Sequence, residues 1–447
     1  MKLKYWTTGL LYWLLVLPLS YGQTAISLEQ AVELALVNNH QLQVSRAAVT
    51  IAENNDDWTL AGRYPQVNLT LNSNNSYNNT NNPASVVVES SVLNNGIVPG
   101  LSANWVLYNG KRVQYTKQQL GQQVQLSNEQ LRSQIQTTIQ SVTQAYYGAL
   151  VQKEQLAVLS EILALSRDRI RYQEARRVFG QAVSFDLLQA QDAYLNDSTN
   201  YLIQQNTYAT TLRNLALSMG QTGNRFVPSD ELAPTAEAYE QDALRQALMA
   251  NNPDLQASNV NIELARLNTR LQQADRLPSV NLSAGLSYNI ANATGNQTFN
   301  FGGTLSEQEL PGVAAQTFNG FLNLAASYPI WDGGLRRRRV ETAELQSLQA
   351  QLNYTALEQQ LLTQMENTLA DYDNQRQLLG ITTTLVANSR QNLQIAEERL
   401  RGGLINSFDY RSVQLTYINA TQARLNAIFN LRTTEVELQR LVGGLVR

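Results

Sequence analysis

The chain has 447 residues, of which only 15% are charged; its net charge is -3, and it contains no cysteine and a single histidine, His40. A balance this close to neutral gives a nucleic-acid partner no electrostatic support. The missing cysteines and lone histidine exclude thiol chemistry, disulfides, Cys/His metal sites and a histidine-based triad.

Residues 1–22 have the pattern of an export signal: Lys2 and Lys4, an apolar core over Leu10 to Leu17, and small residues at Ser20 and Gly22, with cleavage expected before Gln23. The core is too short to span a bilayer comfortably, and nothing later approaches the ~20 apolar residues of a membrane helix. No cysteine follows, so a lipid-anchored N-terminus is not expected. Any membrane span must then be made of strands.

From Ser27 the pattern is helical, with Leu28, Ala31, Val32 and Ala35 on one face. Asn38-Asn39 interrupts it, a second helix is predicted from about Gln41 to Ala61, and Arg63-Tyr64-Pro65 stops that helix. His40 has no neighbours that suggest a ligand set and reads as a polar residue at a helix start. Residues 66–74 alternate apolar and polar, as do residues 100–108, which predicts two strands with one greasy and one wet face. The Asn/Ser-rich stretch between them reads as a loop.

A helix is predicted from about Lys111 to Val178, with Leu120, Val124, Leu131, Ile135, Ile139, Val142 and Tyr146 forming a coiled-coil seam. Roughly 68 residues at ~1.5 Å each give about 100 Å, far beyond a globular helix. Gly180 turns the chain, and a helix returns from Ser184 to about Met219.

Residues 221–235 read as a linker, and the programme then repeats. Asn251-Asn252-Pro253-Asp254-Leu255-Gln256 answers Asn38-Asn39-His40-Gln41-Leu42-Gln43, and Arg276-Leu277-Pro278-Ser279-Val280 answers Arg63-Tyr64-Pro65-Gln66-Val67. Strands are predicted at about 279–289 and 320–331 with a polar loop between, and Trp331-Asp332-Gly333 corresponds to Tyr108-Asn109-Gly110. A second very long helix reaches Arg401, a second tip follows, and a last helix runs to about Leu441. The chain thus divides into a first repeat, 23–220, and a second, 236–445, joined by the linker.

Both tips read Gly-x-x-x-Ser-Phe-Asp, at Gly180 to Asp186 and Gly403 to Asp409. Glycine is the cheap way to turn a chain out of a helix. Ser184 and Ser407 are predicted N-caps, each with an Asp in the first turn of the next helix. Four strands cannot close a barrel, since known barrels start at about eight, so several copies of the chain must share one. The long helices would continue that barrel as a second tube in water.

These features together resemble the outer membrane efflux protein family, the TolC-type exit ducts of Gram-negative bacteria. They are the signal peptide, the duplicated helix-strand-strand-helix plan, Asn-Gly and Asp-Gly-Gly after strands, and the paired tips. The resemblance covers essentially residues 23–445. It implies a homotrimer with a twelve-stranded outer-membrane barrel, four strands per chain, and a long periplasmic α-helical barrel. It also implies a periplasmic adaptor and a proton-driven or ATP-driven inner-membrane pump, in efflux or type I secretion, with no cofactor and no chemistry of its own. The rival class is a non-conducting coiled-coil stalk or adhesin anchored in the outer membrane.

In the family, acids at the tips line the narrow periplasmic entrance, and Asp186 and Asp409 match those positions. Six carboxylates around one constriction would favour cations and bind multivalent ones as blockers. The alternative role for both is stabilisation of a helix start. The second acid of the family's pattern is Ser412 here, and the Tyr and Arg that latch its closed state correspond to Leu400 and Ile405, so the latch is absent or built differently. Gly180, Gly403 and Leu404 match the adaptor-contact surface, although Gln181 departs from the glycine-aliphatic pattern. Arg63, Lys111, Arg112, Arg276 and Arg336, Arg337, Arg338 and Arg339 fall at strand–helix junctions. They read either as solvated charge or as a collar facing lipid phosphates, with Trp105, Tyr108, Tyr328 and Trp331 as its aromatic girdle. No motif for a catalytic nucleophile, metal ligand set or phosphate loop is present.

Overall fold

The computed structural model describes residues 24–180, 183–223, 226–233 and 237–445. The expected export signal lies outside them. The described residues form two compact units that cut across the sequence repeats. One takes the described residues within 24–43, 134–252 and 362–445; the other takes Val44–Ser133 and Pro253–Leu361.

In chain order the elements are β1 (Thr24–Ile26), α1 (Leu28–Asn38), α2 (His40–Asn55), β2 (Gln66–Asn81), β3 (Val87–Asn109), α3 (Arg112–Val178), α4 (Ser184–Ser218) and β4 (Phe226–Pro228). The second half supplies α5 (Gln241–Asn251), α6 (Pro253–Ala274), β5 (Ser279–Phe301), β6 (Thr304–Ser327), α7 (Leu335–Arg401) and α8 (Ser407–Leu441). The two longest helices have 67 residues each.

Four strands form one antiparallel sheet in the order β2-β3-β5-β6. Its register is what makes it a membrane sheet. Val67 pairs with Ala103, Leu69 with Leu101, Trp105 with Leu282, and Leu282 in turn with Leu324. Because side chains alternate with period two, these partners share one face. That face is apolar and uncovered, with Leu69 at 81% and Leu322 at 75% exposure. The edges β2 and β6 have no further strand partner among the described residues, and unpaired backbone cannot face hydrocarbon. Copies of the chain must therefore join edge to edge.

The strands are longer than the sequence suggested. The predicted loops after residue 74 and over 290–317 are ladder instead: β2 runs to Asn81, β3 starts at Val87, and β5 and β6 meet at a two-residue turn. Gly302 and Gly303 make that turn with φ of +63° and +98°, the left-handed pair a tight hairpin requires. Asn and Ser have poor strand propensity, but continuous pairing from a neighbour overrides it. β6 also stops at Ser327, short of the predicted 331, and α2 stops at Asn55, short of Ala61.

In the helical unit, the predicted linker contains β4, which pairs in parallel with β1 through Thr24 to Phe226 and Ile26 to Pro228. The fully buried Tyr146 of α3 ties this pair down: its hydroxyl donates to the Ile26 carbonyl at 2.9 Å and accepts from the Asp230 N–H at 3.2 Å. Ile26, Ala31, Ala35, Val142, Leu150 and Leu212 pack around it.

The duplication reappears in the helix ends. Asn39 Nδ2 donates to the Ser218 carbonyl at 3.2 Å, and its counterpart Asn252 donates to the Leu441 carbonyl at 2.9 Å. Gly220 and Gly443 both take φ +71° at these ends. The N–H after each of them closes on a carbonyl five residues back, 2.8 Å from Gln221 to Ala216 and 2.8 Å from Gly444 to Gln439, the bond of a Schellman turn.

Candidate functional site: hairpin tips and strand–helix junctions

At the second tip, Gly403 adopts φ +71°. The Leu404 N–H reaches the Arg399 carbonyl at 2.8 Å, and the Gly403 N–H reaches Leu400 at 3.1 Å. At the first tip Gly180 adopts φ +70°, and its N–H donates to the Arg177 carbonyl at 3.0 Å.

The capping expectation is corrected. Ser184 and Ser407 are the first helical residues, and the cap positions belong to Val183 and Asn406. Val183 offers no side-chain bond, whereas Asn406 Oδ1 accepts from the N–H groups of Phe408 and Asp409, both at 2.9 Å. With the orphan amides met by Asn406, Ser407 is free to turn inward. It is 4% exposed. Its hydroxyl accepts from Gln173 Nε2 at 3.2 Å, and its carbonyl accepts from Arg169 Nη2 at 3.1 Å. Ser407 therefore joins the two hairpins instead of capping one.

Asp186 is half-buried and Asp409 exposed, each in the first turn of its helix. Asp409 lines a cavity of about 360 Å³ together with Arg399, Ile405 and Val413. Leu404 is 77% exposed, and Phe179, Phe185, Leu188 and Phe408 are exposed apolar neighbours on the tips.

A polar cluster that sequence reasoning missed lies between the hairpins. Asp197 of α4, only 3% exposed, is gripped by Arg411 of α8 through Nη2 at 2.7 Å and Nη1 at 2.8 Å, and Ser166 of α3 donates to it as well. Arg411 also reaches Gln414 Oε1 at 2.7 Å. The Tyr172 hydroxyl lies 3.2 Å from the carbonyls of both Leu400 and Arg401. Burial pushes the Arg169 guanidinium below the ordinary arginine range; Arg411 adds to this, while Tyr410, Asp186 and Asp197 oppose it. Burial likewise pushes Tyr410 up to about 12. Nothing in the local pattern marks Asp197, since it sits in a helix rich in Asn, Gln and Thr. Its partners become visible only when α3, α4 and α8 meet.

Leu400 and Ile405 lie against a cluster of Ile162, Leu393, Ala396, Tyr410 and Tyr417. Apolar packing plus the Arg169, Gln173 and Tyr172 hydrogen bonds holds the second tip to α3.

At the strand–helix junctions the basic residues separate into two groups. Arg112 pairs with Asp275 at 2.6 Å, Arg336 with Asp332 at 2.7 Å, and Arg337 with Glu341 at 2.8 Å. Arg63, Lys111, Arg276, Arg338 and Arg339 are exposed and form no ion pair among the described residues. Arg63 stacks on Trp58 at 4.7 Å, and its carbonyl accepts from Trp105 Nε1 at 2.7 Å. Trp331 is 85% exposed. Among the described residues no helix is long and apolar enough to cross a membrane, and no group of three or more His, Asp or Glu could hold a metal ion.

A duplicated chain with an open sheet, one apolar uncovered face and long paired helical hairpins defines a channel-forming protein of the bacterial outer membrane. Comparison with known proteins gives the particular family. The chain belongs to the outer membrane efflux protein family, whose model matches residues 31–221 and 244–444. It is similar to the cation efflux system protein CusC of Escherichia coli strain K12, 21% identical over 421 residues, covering 92% of this chain and 85% of that protein. It is also similar to the antibiotic efflux pump outer membrane protein ArpC of Pseudomonas putida, 23% identical over 311 residues, covering 68% of this chain and 60% of that protein. A crystal structure of CusC matches with a TM-score of 0.72 at 20% identity, over 94% of this chain and 93% of that one. The outer membrane protein VceC of Vibrio cholerae matches with a TM-score of 0.72 at 18% identity, over 93% of this chain and 96% of that one. The protein is an outer membrane efflux channel of TolC-type fold, and members of its family form trimeric channels in tripartite efflux systems. Its relatives are channels, not enzymes.

Proposed function

We propose that this chain, as a homotrimer, is the passive exit duct for a periplasmic adaptor and an inner-membrane pump, and that its paired tips are the gate. The observation that carries this reading is the repetition of one device: each hairpin turns at a left-handed glycine and places an Asp in the next first turn, Asp186 and Asp409. Threefold repetition sets six carboxylates around the periplasmic entrance, a field that favours cations. The gate rests closed by apolar packing of Leu400 and Ile405 and by the hydrogen bonds of Tyr172, Arg169 and Gln173. The exposed apolar residues around Gly180, Gly403 and Leu404 form the adaptor's docking surface, with Ser184 and Ser407 starting the helices behind it. The uncompensated junction cations, Arg63, Lys111, Arg276, Arg338 and Arg339, face lipid phosphates at the periplasmic leaflet. The chain does no chemistry of its own, and substrate choice lies with the pump, which drives either efflux or type I secretion.

The test is conductance of the purified protein in a planar bilayer. Stable cation-preferring channels blocked by multivalent cations are expected. In the Asp186→Asn/Asp409→Asn variant the cation preference falls toward unity and the blocker affinity drops about tenfold or more. Unchanged selectivity in the double variant removes the gate assignment, and absence of any stable conductance in the unmodified protein favours a non-conducting stalk.

A further inference from the structure

The two strand–helix junctions of the repeat are built from corresponding residues, yet they are electrically different. In the second repeat, Asp332 Oδ2 accepts from the Arg336 side chain at 2.7 Å and from its backbone N–H at 3.0 Å, and Arg336 also donates to the Pro329 carbonyl at 3.1 Å. That cation is neutralised where it stands. In the first repeat the position of Asp332 is taken by Asn109 and that of Arg336 by Val113. The Asn109 side-chain oxygen accepts from the Val113 N–H at 3.3 Å and keeps the helix-starting role, while the carboxylate and its paired cation are both absent.

Beside Asn109 lies a pocket of about 550 Å³ lined by Trp58, Arg63, Trp105, Tyr108 and Lys111 among others, with no carboxylate in its wall. Of the two acids that precede Trp58, Asp56 is taken by Lys117 at 2.6 Å and Asp57 accepts from the Thr59 N–H at 2.6 Å. The Arg63 guanidinium carbon lies over the Trp58 ring, 4.7 Å from its centroid, and Trp105 Nε1 donates to the Arg63 carbonyl, so the ring and the backbone bond favour this placement of the cation without a ligand. Lys111 is the one non-glycine residue among those described with positive φ, +68°, a strained conformation that points to a local constraint. Trp105 also belongs to the apolar face of the sheet, in register with Leu282 and two residues from Ala103. A ligand here meets the Arg63 and Lys111 cations at one end and a greasy surface at the other.

We propose that this pocket binds the phosphodiester headgroup of one glycerophospholipid, with Arg63 and Lys111 on the phosphate and the acyl chains lying along the sheet from Trp105. The inference rests on the reading of the junction cations as lipid-facing, and it narrows that reading to one site per subunit, in the first repeat only. The decisive variant is Asn109→Asp. It places a carboxylate in the pocket wall, where the second repeat carries Asp332, and keeps an oxygen acceptor for the Val113 N–H.

The test is native mass spectrometry of the full chain in detergent, titrated with phosphatidylglycerol. The unmodified protein is expected to retain one lipid per subunit. Binding is expected to weaken at least about tenfold in Arg63→Gln/Lys111→Gln, which removes the charge-assisted hydrogen bonds, and in Asn109→Asp, whose carboxylate repels the phosphate. Arg338→Gln/Arg339→Gln is expected to bind as the unmodified protein does. Circular dichroism and oligomer mass confirm that each variant is folded. Unchanged binding in Asn109→Asp and in the pocket double variant overturns the pocket. If Arg338→Gln/Arg339→Gln then weakens binding, the broader collar survives; if no variant does, the collar falls as well. Displacement of the lipid by an equal concentration of inorganic phosphate also overturns the proposal, because it would mark a free-phosphate site.

Discussion

Asp197 and Arg411 offer the most direct measurement of what holds the tips together. The carboxylate is 3% exposed, and the Arg411 side chain retains 19% exposure. Contacts of 2.7 and 2.8 Å put the charge centres about 4 Å apart, which at an effective dielectric constant of ~20 corresponds to ~4 kcal/mol of attraction. Replacing Asp197 by Ala removes that attraction and leaves a guanidinium in a partly dry site, facing Gln414 alone. Loss of one partner of a buried pair costs about 3–5 kcal/mol. The residual exposure of Arg411 lets some water reach it, so the low end, about 3 kcal/mol, is expected. The assay is amide hydrogen exchange of peptides from α4 and α8, where about 3 kcal/mol of lost protection speeds exchange roughly 100-fold. Asp197→Leu/Arg411→Met, which removes both charges and fills the space, is expected to recover most of the protection. Acceleration under threefold in Asp197→Ala refutes the estimate. A double variant as unprotected as the sum of the two single ones refutes the electrostatic reasoning.

Two further outcomes follow from the helical unit. Burial raises the Tyr146 phenol from 10.0 to about 12, so at this residue the unfolded chain ionises first; its contribution to stability is intact below pH 10 and is lost between pH 10 and 12, by at most about 2.7 kcal/mol for this one group. Denaturant unfolding at pH 9 and pH 11.5 checks this, and the decline should be smaller in Tyr146→Phe. That variant also loses the hydrogen bonds to Ile26 and Asp230, and at pH 7 it should be about 1–3 kcal/mol less stable. At Gly443, φ is +71° and an added Cβ would stand 2.5 Å from the Asn251 carbonyl oxygen; Gly220 meets Asn38 in the same way. Gly220→Ala and Gly443→Ala should each cost about 2 kcal/mol or more, whereas Ala at Gly180, which has no atom within 4 Å, should cost about 1 kcal/mol. Thermal unfolding of the three variants side by side tests the ranking.

Much of this architecture is legible in the residues alone, because it is written in periods. The coiled-coil seam from Leu120 to Tyr146, the alternation from Val280 to Tyr288, and the punctuation by Asn38-Asn39, Asn251-Asn252 and the tip glycines are local signals that depend on no distant partner. So is the need for several copies, since four strands are too few to close. The Asn-rich halves of β2, β3 and β5 were not legible, because their strand state comes from the neighbour they pair with. The short pairing of β1 with β4 was hidden for the same reason. Ser407 reads as a cap, yet its neighbour Asn406 takes that local role, and only the approach of α3 shows that Ser407 faces Arg169 and Gln173. The Asp197–Arg411 pair and the pocket at Trp58, Arg63, Trp105 and Lys111 join residues 214 and up to about 50 positions apart. Sequence determined the repeating elements because hydrophobic period acts within a few residues. Tertiary structure decided which polar groups meet, because charge and hydrogen bonding act through space.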